Sequence, residues 1–170
     1  MQEQLTGAEA DEAESQRFSS LKFIKRRSGA MYRGQMLNTN DRPDGMGLKV
    51  FKGSSLYEGY FENGMCHGYG RAISSKGEVY QGFFYNDSMD GEGFFSWPDG
   101  RIYEGTWVNN EKHGKGKYFW PNGQVYDGNF GNDDCEGEGT LYYPDGKQYE
   151  GSWKQGEKHG KGQYIYPDGI

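Results

Sequence analysis

The chain has 170 residues, about one domain's worth, and only 33% of them are hydrophobic, a thin supply for a conventional two-layer core. No apolar run approaches the ~20 residues that span a bilayer as a helix, and no basic-then-apolar signal segment follows Met1, so the expected place is the cytoplasm. The 29 Gly standing beside 14 Tyr, 10 Phe and 4 Trp argue against disorder and for many short strands and turns.

Residues 1–20 read as an acidic disordered tail, since positions 1–16 hold Glu3, Glu9, Asp11, Glu12 and Glu14 and no base. Positions 17–33 reverse the sign, with Arg17, Lys22, Lys25, Arg26, Arg27 and Arg33 and no acid. Within them, residues 21–28 read as a basic lead strand or cap, because Phe23 to Arg27 aligns with Thr140 to Pro144 and its charges deter edge pairing. The remaining 137 residues carry 13 bases against 20 acids, and that net −7 repels nucleic acid and anionic membranes alike.

From residue 29 to residue 170 the chain repeats itself. Tyr-x-Gly occurs at Tyr32, Tyr57, Tyr80, Tyr103, Tyr126 and Tyr149, in steps of 25, 23, 23, 23 and 23 residues. Two residues after each Gly stands Met36, Phe61, Phe84, Trp107, Phe130 or Trp153, and a Gly-x-Gly pair follows, from Gly45/Gly47 to Gly160/Gly162. The extra two residues of the first unit lengthen a turn around Asn38 to Asp44. In the last unit, Tyr149 to Trp153 and Gly162 to Tyr166 show the period-two ring placement of strands, with a charged, Gly-rich connection from Lys154 to Gly160. Pro-Asp-Gly or a variant then turns each hairpin into the next, as at Pro98 to Gly100. Six hairpins predict an all-β fold: an elongated, single-layer antiparallel meander, twisted and grooved because long open sheets do not stay flat.

Gly-x-x-Tyr-x-Gly-x-Trp followed by His-Gly-x-Gly, seen in full from Asp99 to Gly116 and from Asp145 to Gly162, resembles the MORN repeat. The resemblance implies an extended antiparallel sheet of about six hairpins used for binding, in a non-enzymatic scaffold of a cilium, flagellum or the cytoskeleton, such as the radial spoke of an axoneme. The first unit departs from the pattern with Arg33, Met36 and Asp44, and the second carries Ser74 where later units have Trp97 or Trp120. Looser packing is therefore expected in the N-terminal third.

Alternation along each strand assigns two faces. One carries the six repeat tyrosines, the ring two residues beyond each Gly, and Phe51, Trp97, Trp120, Tyr143 and Tyr166. These rings read as the sole core or as the lining of a groove for a partner, and the two readings are compatible. The other face carries Met31, Leu56, Val79, Ile102, Val125 and Gln148, with Val50, Ile73, Phe119, Tyr142 and Ile165, an apolar stripe that a single layer leaves uncovered and that a partner is expected to cover in part. Candidate partner-binding residues from both faces are Trp97, Tyr103, Trp107, Phe119, Trp120, Tyr126, Tyr149, Trp153, Ile165 and Tyr166. In a chain ending at Ile170, Gln163 to Tyr166 would be an open edge for a partner strand or a second copy.

No cofactor, metal or catalytic group is expected. His67, His113 and His159 lie two units apart, hence ~19 Å between neighbours, too far to share an ion. Cys66 and Cys135, three units apart at ~29 Å, are expected as free thiols. Before each Gly-x-Gly the residue alternates Asp44, His67, Asp90, His113, Glu136, His159, which reads as solubility and register patterning or as a charge-matched partner surface. The leading functional expectation is a scaffold that docks a protein partner along its β-ribbon. The alternative is peripheral binding to anionic phospholipid through Lys22, Lys25, Arg26 and Arg27.

Overall fold

The structure, a computed structural model, describes residues 22–37 and 42–167. A two-residue strand β1 (Ile24–Lys25) leads six hairpins. They pair β2 (Met31–Leu37) with β3 (Arg42–Val50), β4 (Leu56–Glu62) with β5 (Met65–Ile73), and β6 (Val79–Tyr85) with β7 (Ser88–Ser96). They continue with β8 (Ile102–Val108) and β9 (Glu111–Phe119), β10 (Val125–Gly131) and β11 (Asp134–Tyr142), and β12 (Gln148–Lys154) and β13 (Glu157–Ile165). All thirteen form one antiparallel sheet in chain order, and the described residues contain no helix, so none that could cross a membrane.

The connection within a hairpin is shorter than the charge-rich stretch Lys154 to Gly160 suggests. Only two residues turn the chain, and both take positive φ: Asn109 at 49° and Asn110 at 71°, or Gln155 at 51° and Gly156 at 79°. That is the tight primed turn whose twist matches paired strands, and Asn and Gly tolerate it. The rest of the stretch belongs to the second strand. In the first hairpin Leu37 pairs with Arg42, which leaves 38–41, outside the described residues, as the longer connection; Pro43 and Asp44 already lie on β3.

Each Gly-x-Gly pair does two different jobs. Gly105 faces Gly116 across the ladder, but the next pairing is Trp107 with Lys112, so Thr106 opposes His113, Gly114 and Lys115 together. The same shift recurs in every hairpin. The first Gly of the pair adopts the positive φ of this bulge, 61° at Gly114, while the second closes the ladder again.

That second glycine lies under a tyrosine ring. A Cβ on Gly116 would come within 2.5 Å of the Tyr103 hydroxyl, and one on Gly105 within 2.6 Å of the Gly116 Cα. The Tyr103 hydroxyl in turn donates to the Thr106 carbonyl at 3.0 Å, at the residue facing the bulge. Tyr32, Tyr57, Tyr80 and Tyr126 do the same at Gln35, Tyr60, Phe83 and Asn129, between 2.6 and 3.0 Å. Bare backbone, ring and bulge are one device.

The core is a file of rings on one face, with Cys66, Tyr118 and Leu141 buried beside it. Tyr32, Phe61, Tyr57, Phe84, Tyr80, Trp107, Tyr103, Phe130, Tyr126, Trp153 and Tyr149 follow one another edge to face, with centroids 4.9–5.6 Å apart. Each such contact is worth about 0.5–1.5 kcal/mol beyond the area it buries. The expected loosening of the N-terminal third is not found in this file: Tyr32 and Phe61 are 0% exposed and Tyr57 is 1% exposed. The reason is that first-strand rings build the file, whereas Ser74 falls at a rim position outside it.

Side chains at the turns tie each hairpin to the one before. Asp44, Asp90 and Glu136 accept the backbone N–H of Asn63, Asn109 and Gln155 in the following turn, at 3.1–3.2 Å. In three successive units the following turn also reaches back: Asp87, Asn110 and Asp133 accept the N–H of Cys66, Met89 and Lys112 at 2.8–2.9 Å. Only the forward bonds from Asp44, Asp90 and Glu136 recur every second unit, and by tying turn to turn they favour the register reading over a charge-matched surface.

Candidate functional site: the ring-bearing face

Rows of side chains flank the buried file. Directly opposite the repeat tyrosines stand Lys49, Ala72, Phe95, Tyr118, Leu141 and Tyr164. At the strand exits stand Phe51, Ser74, Trp97, Trp120, Tyr143 and Tyr166; of these Phe51, Trp97, Trp120 and Tyr143 are half-buried against the file. Tyr118 stacks tilted between Trp97 (5.7 Å) and Trp120 (4.6 Å), so the rings run on from the core to the rim without a break.

The ten residues expected to bind a partner divide three ways. Tyr103 and Tyr126 are fully buried, and Trp107, Tyr149 and Trp153 nearly so; they are core, because neighbouring rings of the file, and Tyr164 at Tyr149, pack against them. Trp97 and Trp120, half-buried, and Tyr166, exposed, sit on the ring-bearing rim. Phe119 and Ile165 lie on the opposite face, Phe119 paired with Ile102 and Val125, and Ile165 with Gln148. No one surface contains all ten.

The repeat spacing does not single out Phe95 and Tyr164, which line the groove, or Tyr118, which is buried beside the file. Their signal is present in the sequence, two residues before each strand-exit ring. It needs the cross-strand register to show that they face the repeat tyrosines. Register also confirms the second stripe, with Met31, Val50, Leu56, Ile73, Val79, Ile102, Phe119, Val125, Tyr142 and Ile165 on one face. An exposed group of Met46, Tyr60, Tyr69 and Phe83 joins them there, with Tyr69 and Phe83 in edge contact at 5.5 Å.

The N-terminal end of the groove is a basic cleft of about 490 Å³, with Lys25, Arg26, Arg27 and Lys49 among its walls and Tyr32 at its floor. Lys22 is exposed and is not among the lining residues. The Arg26 guanidinium stands 5.8 Å from the Tyr32 ring and donates to the Met36 sulfur at 3.5 Å. Of the expected lipid-binding residues, three of four therefore converge on one cleft.

His67, His113 and His159 lie in the bulges of β5, β9 and β13, and among the described residues no cluster of three metal-ligating side chains occurs. Cys66 and Cys135 are free thiols on β5 and β11. Burial, reinforced by the Asp87 carboxylate, pushes the Cys66 thiol up to about 12; burial pushes Cys135 up to about 11. Because the thiolate is the reacting form, Cys66 should label about a thousandfold more slowly than a free cysteine at pH ~8, and Cys135 about tenfold faster than Cys66. Two-phase disulfide-reagent kinetics on the native chain check this, and equal rapid labelling of both would refute it.

An open sheet of stacked hairpins, with its rings gathered on one face and a basic cleft at one end, defines an elongated hairpin-repeat protein. The MORN repeat model matches residues 57–79, 80–100, 103–125, 126–148 and 149–170, so the chain belongs to the MORN repeat family. Five units are matched where six were expected; the β2–β3 hairpin precedes them with the same ladder but lies outside the match. Among curated proteins none matches the chain. Its fold is similar to the SAS-4 (dCPAP) TCP domain of Drosophila melanogaster, solved in complex with a proline-rich motif of Ana2 (dSTIL): TM-score 0.54 at 12% identity, over 88% of this chain and 86% of that one. It is similar at TM-score 0.45 to the CPAP G-box domain, at 16% identity over 88% of this chain and 89% of that one.

Proposed function

We propose that the protein is a non-enzymatic scaffold that docks a protein partner along its ring-bearing face, in an axonemal or cytoskeletal assembly. The observation that carries this is the rim: Trp97, Trp120, Tyr143, Tyr164 and Tyr166 remain half-buried or exposed in a row beside a file that buries the repeat tyrosines. Large, stiff rings on a fixed backbone supply contact area at low entropic cost, which is what anchors protein interfaces. The similar TCP domain, named as a complex with a proline-rich motif, supports a binding role for such a sheet. The type of assembly rests on the family.

A photo-crosslinking amino acid placed at Trp120 or Tyr143, and at Tyr142 or Ile102 on the other face, tests this in native lysate. Polypeptide adducts from the first pair and none from the second are expected; adducts from the second pair alone would overturn the choice of face, and none from either would overturn docking.

The basic cleft favours a second reading, attachment to anionic phospholipid. Co-sedimentation with anionic vesicles that disappears at high salt, and on reversing the charge of Lys22, Lys25, Arg26 and Arg27, would support it.

A further inference from the structure

The charges of the two faces are sorted, and the sorting specifies a partner. Within the strands, every charged side chain in register with the ring file is a lysine: Lys49, Lys112 and Lys158. The turns add Arg26, Arg101 and Lys147 on the same side against Asp99 and Asp133, which pair with Arg101 and Lys112, so the face keeps an excess of cations within a chain of net charge −6. The other face mixes signs, with Glu58 across from Arg71 and Glu104 across from Lys117.

Each of the six cations lies over a ring. Lys49 is 4.7 Å from Phe51, Arg101 5.1 Å from Trp97, Lys147 4.4 Å from Tyr143 and Lys158 4.7 Å from Tyr149. Arg26 and Lys112 stand 5.8 and 5.9 Å from Tyr32 and Tyr118. Lys158 also donates to the Tyr143 and Tyr164 hydroxyls, at 2.7 and 2.8 Å. Asp133 already pairs with Lys112 and Asp99 with Arg101, whereas among the described residues no carboxylate pairs with Lys49, Lys147 or Lys158.

We propose, resting on the reading that this face docks a protein, that its ligand is an acidic polypeptide segment studded with apolar side chains. Such a segment places carboxylates on ammonium groups held over rings and its apolar side chains between the rim rings. Lys112 and Lys158 are four strands apart, ~19 Å, and so are Arg101 and Lys147, which spaces the cations along a line and not in a cluster. Single-stranded nucleic acid is also a linear polyanion, but its bases need free ring faces to stack on, and here cations occupy them. A membrane presents a plane of charge, which must also approach the acidic remainder of the array, whereas a single segment meets only the line of cations.

The test uses the full chain and a labelled peptide of about 20 residues, an amphipathic helix of Leu and Glu, with fluorescence anisotropy as the readout. Comparison probes are the same peptide with Lys for Glu, a single-stranded DNA of about equal length, and vesicles containing anionic lipid. At low salt the Glu peptide should bind at least ~10-fold more tightly than the Lys peptide, and Lys147→Glu with Lys158→Glu should remove at least ~10-fold of that affinity. The control pair Lys115→Glu with Lys161→Glu should change it less than ~2-fold. Lys147→Glu alone, far from the buried file, should weaken binding about half as much on a logarithmic scale, and circular dichroism confirms that each variant is folded.

Equal binding of the two peptides, an equal loss in the control pair, or DNA or vesicles bound through the same lysines in preference to the Glu peptide would overturn the proposal. Should the Glu peptide fail while Trp120 still crosslinks to a polypeptide, the acidic chemistry falls and docking on this face stands. Should Trp120 yield no polypeptide, the docking reading itself falls.

Discussion

Gly116→Ala is expected to cost about 3 kcal/mol or more in denaturant unfolding, a larger loss than a surface substitution produces. The added methyl would lie 2.5 Å from the Tyr103 hydroxyl and 2.6 and 2.7 Å from two of its ring carbons. That ring has no slack, because it is 0% exposed and held edge to face by Trp107 at 5.1 Å and Phe130 at 4.9 Å. Making room means displacing three rings of the file and the hydroxyl bond to the Thr106 carbonyl. Gly131→Ala is the internal control: its new Cβ would meet nothing nearer than 3.5 Å, at Glu136, and its backbone is not in the left-handed region. Equal midpoints for the two variants would refute the role given to the ring over bare backbone. Because a hairpin repeat contacts little beyond its neighbours, the loss should be felt first in the central units.

Raising the pH above about 10 is expected to unfold the protein cooperatively, before its tyrosines have all titrated. Burial holds the Tyr32 phenol up to about 12, and burial likewise raises Tyr57, Tyr80, Tyr103 and Tyr126 well above their ordinary value. In the unfolded chain these phenols ionise near 10, so the unfolded state releases protons first. Their stabilising effect is complete below pH ~10 and is lost as pH rises through the folded values, by about 1.4 kcal/mol per pH unit for each ring. Five rings acting together outrun the usual 5–15 kcal/mol of a domain within about two pH units. Tyr164, pulled down because the Lys158 ammonium donates to it, should ionise in an early non-cooperative phase. Tyrosinate absorbance and circular dichroism followed on one sample check this. A gradual absorbance curve with unchanged circular dichroism past pH ~12 would show that the buried phenols are not what holds the file together.

These expectations share one cause. The array has no second layer, so the file from Tyr32 to Tyr149 supplies most of the buried apolar surface, and whatever disturbs a ring disturbs the fold. The same thinness makes the rim available for binding. Rings that a two-layer protein would cover here remain half-buried beside Lys147 and Lys158.

Much of this was legible in the residue pattern alone. Tyr-x-Gly at 23-residue steps and rings at alternate positions determine hairpins, their order and their two faces, because alternation is a property of the strand backbone itself. The strand extents are not legible there, since Lys154 to Gly160 reads as a loop although a two-residue turn and a bulge divide it. What the tertiary structure decided is the division of rings between core and rim, the meeting of Tyr118 with Tyr103, the hydrogen bonds between successive hairpins, and the placing of lysines over rings. Those depend on which residues oppose one another across neighbouring strands, as Tyr103 opposes Tyr118, and a shift of register at every bulge hides that pairing from any reading taken along a single strand.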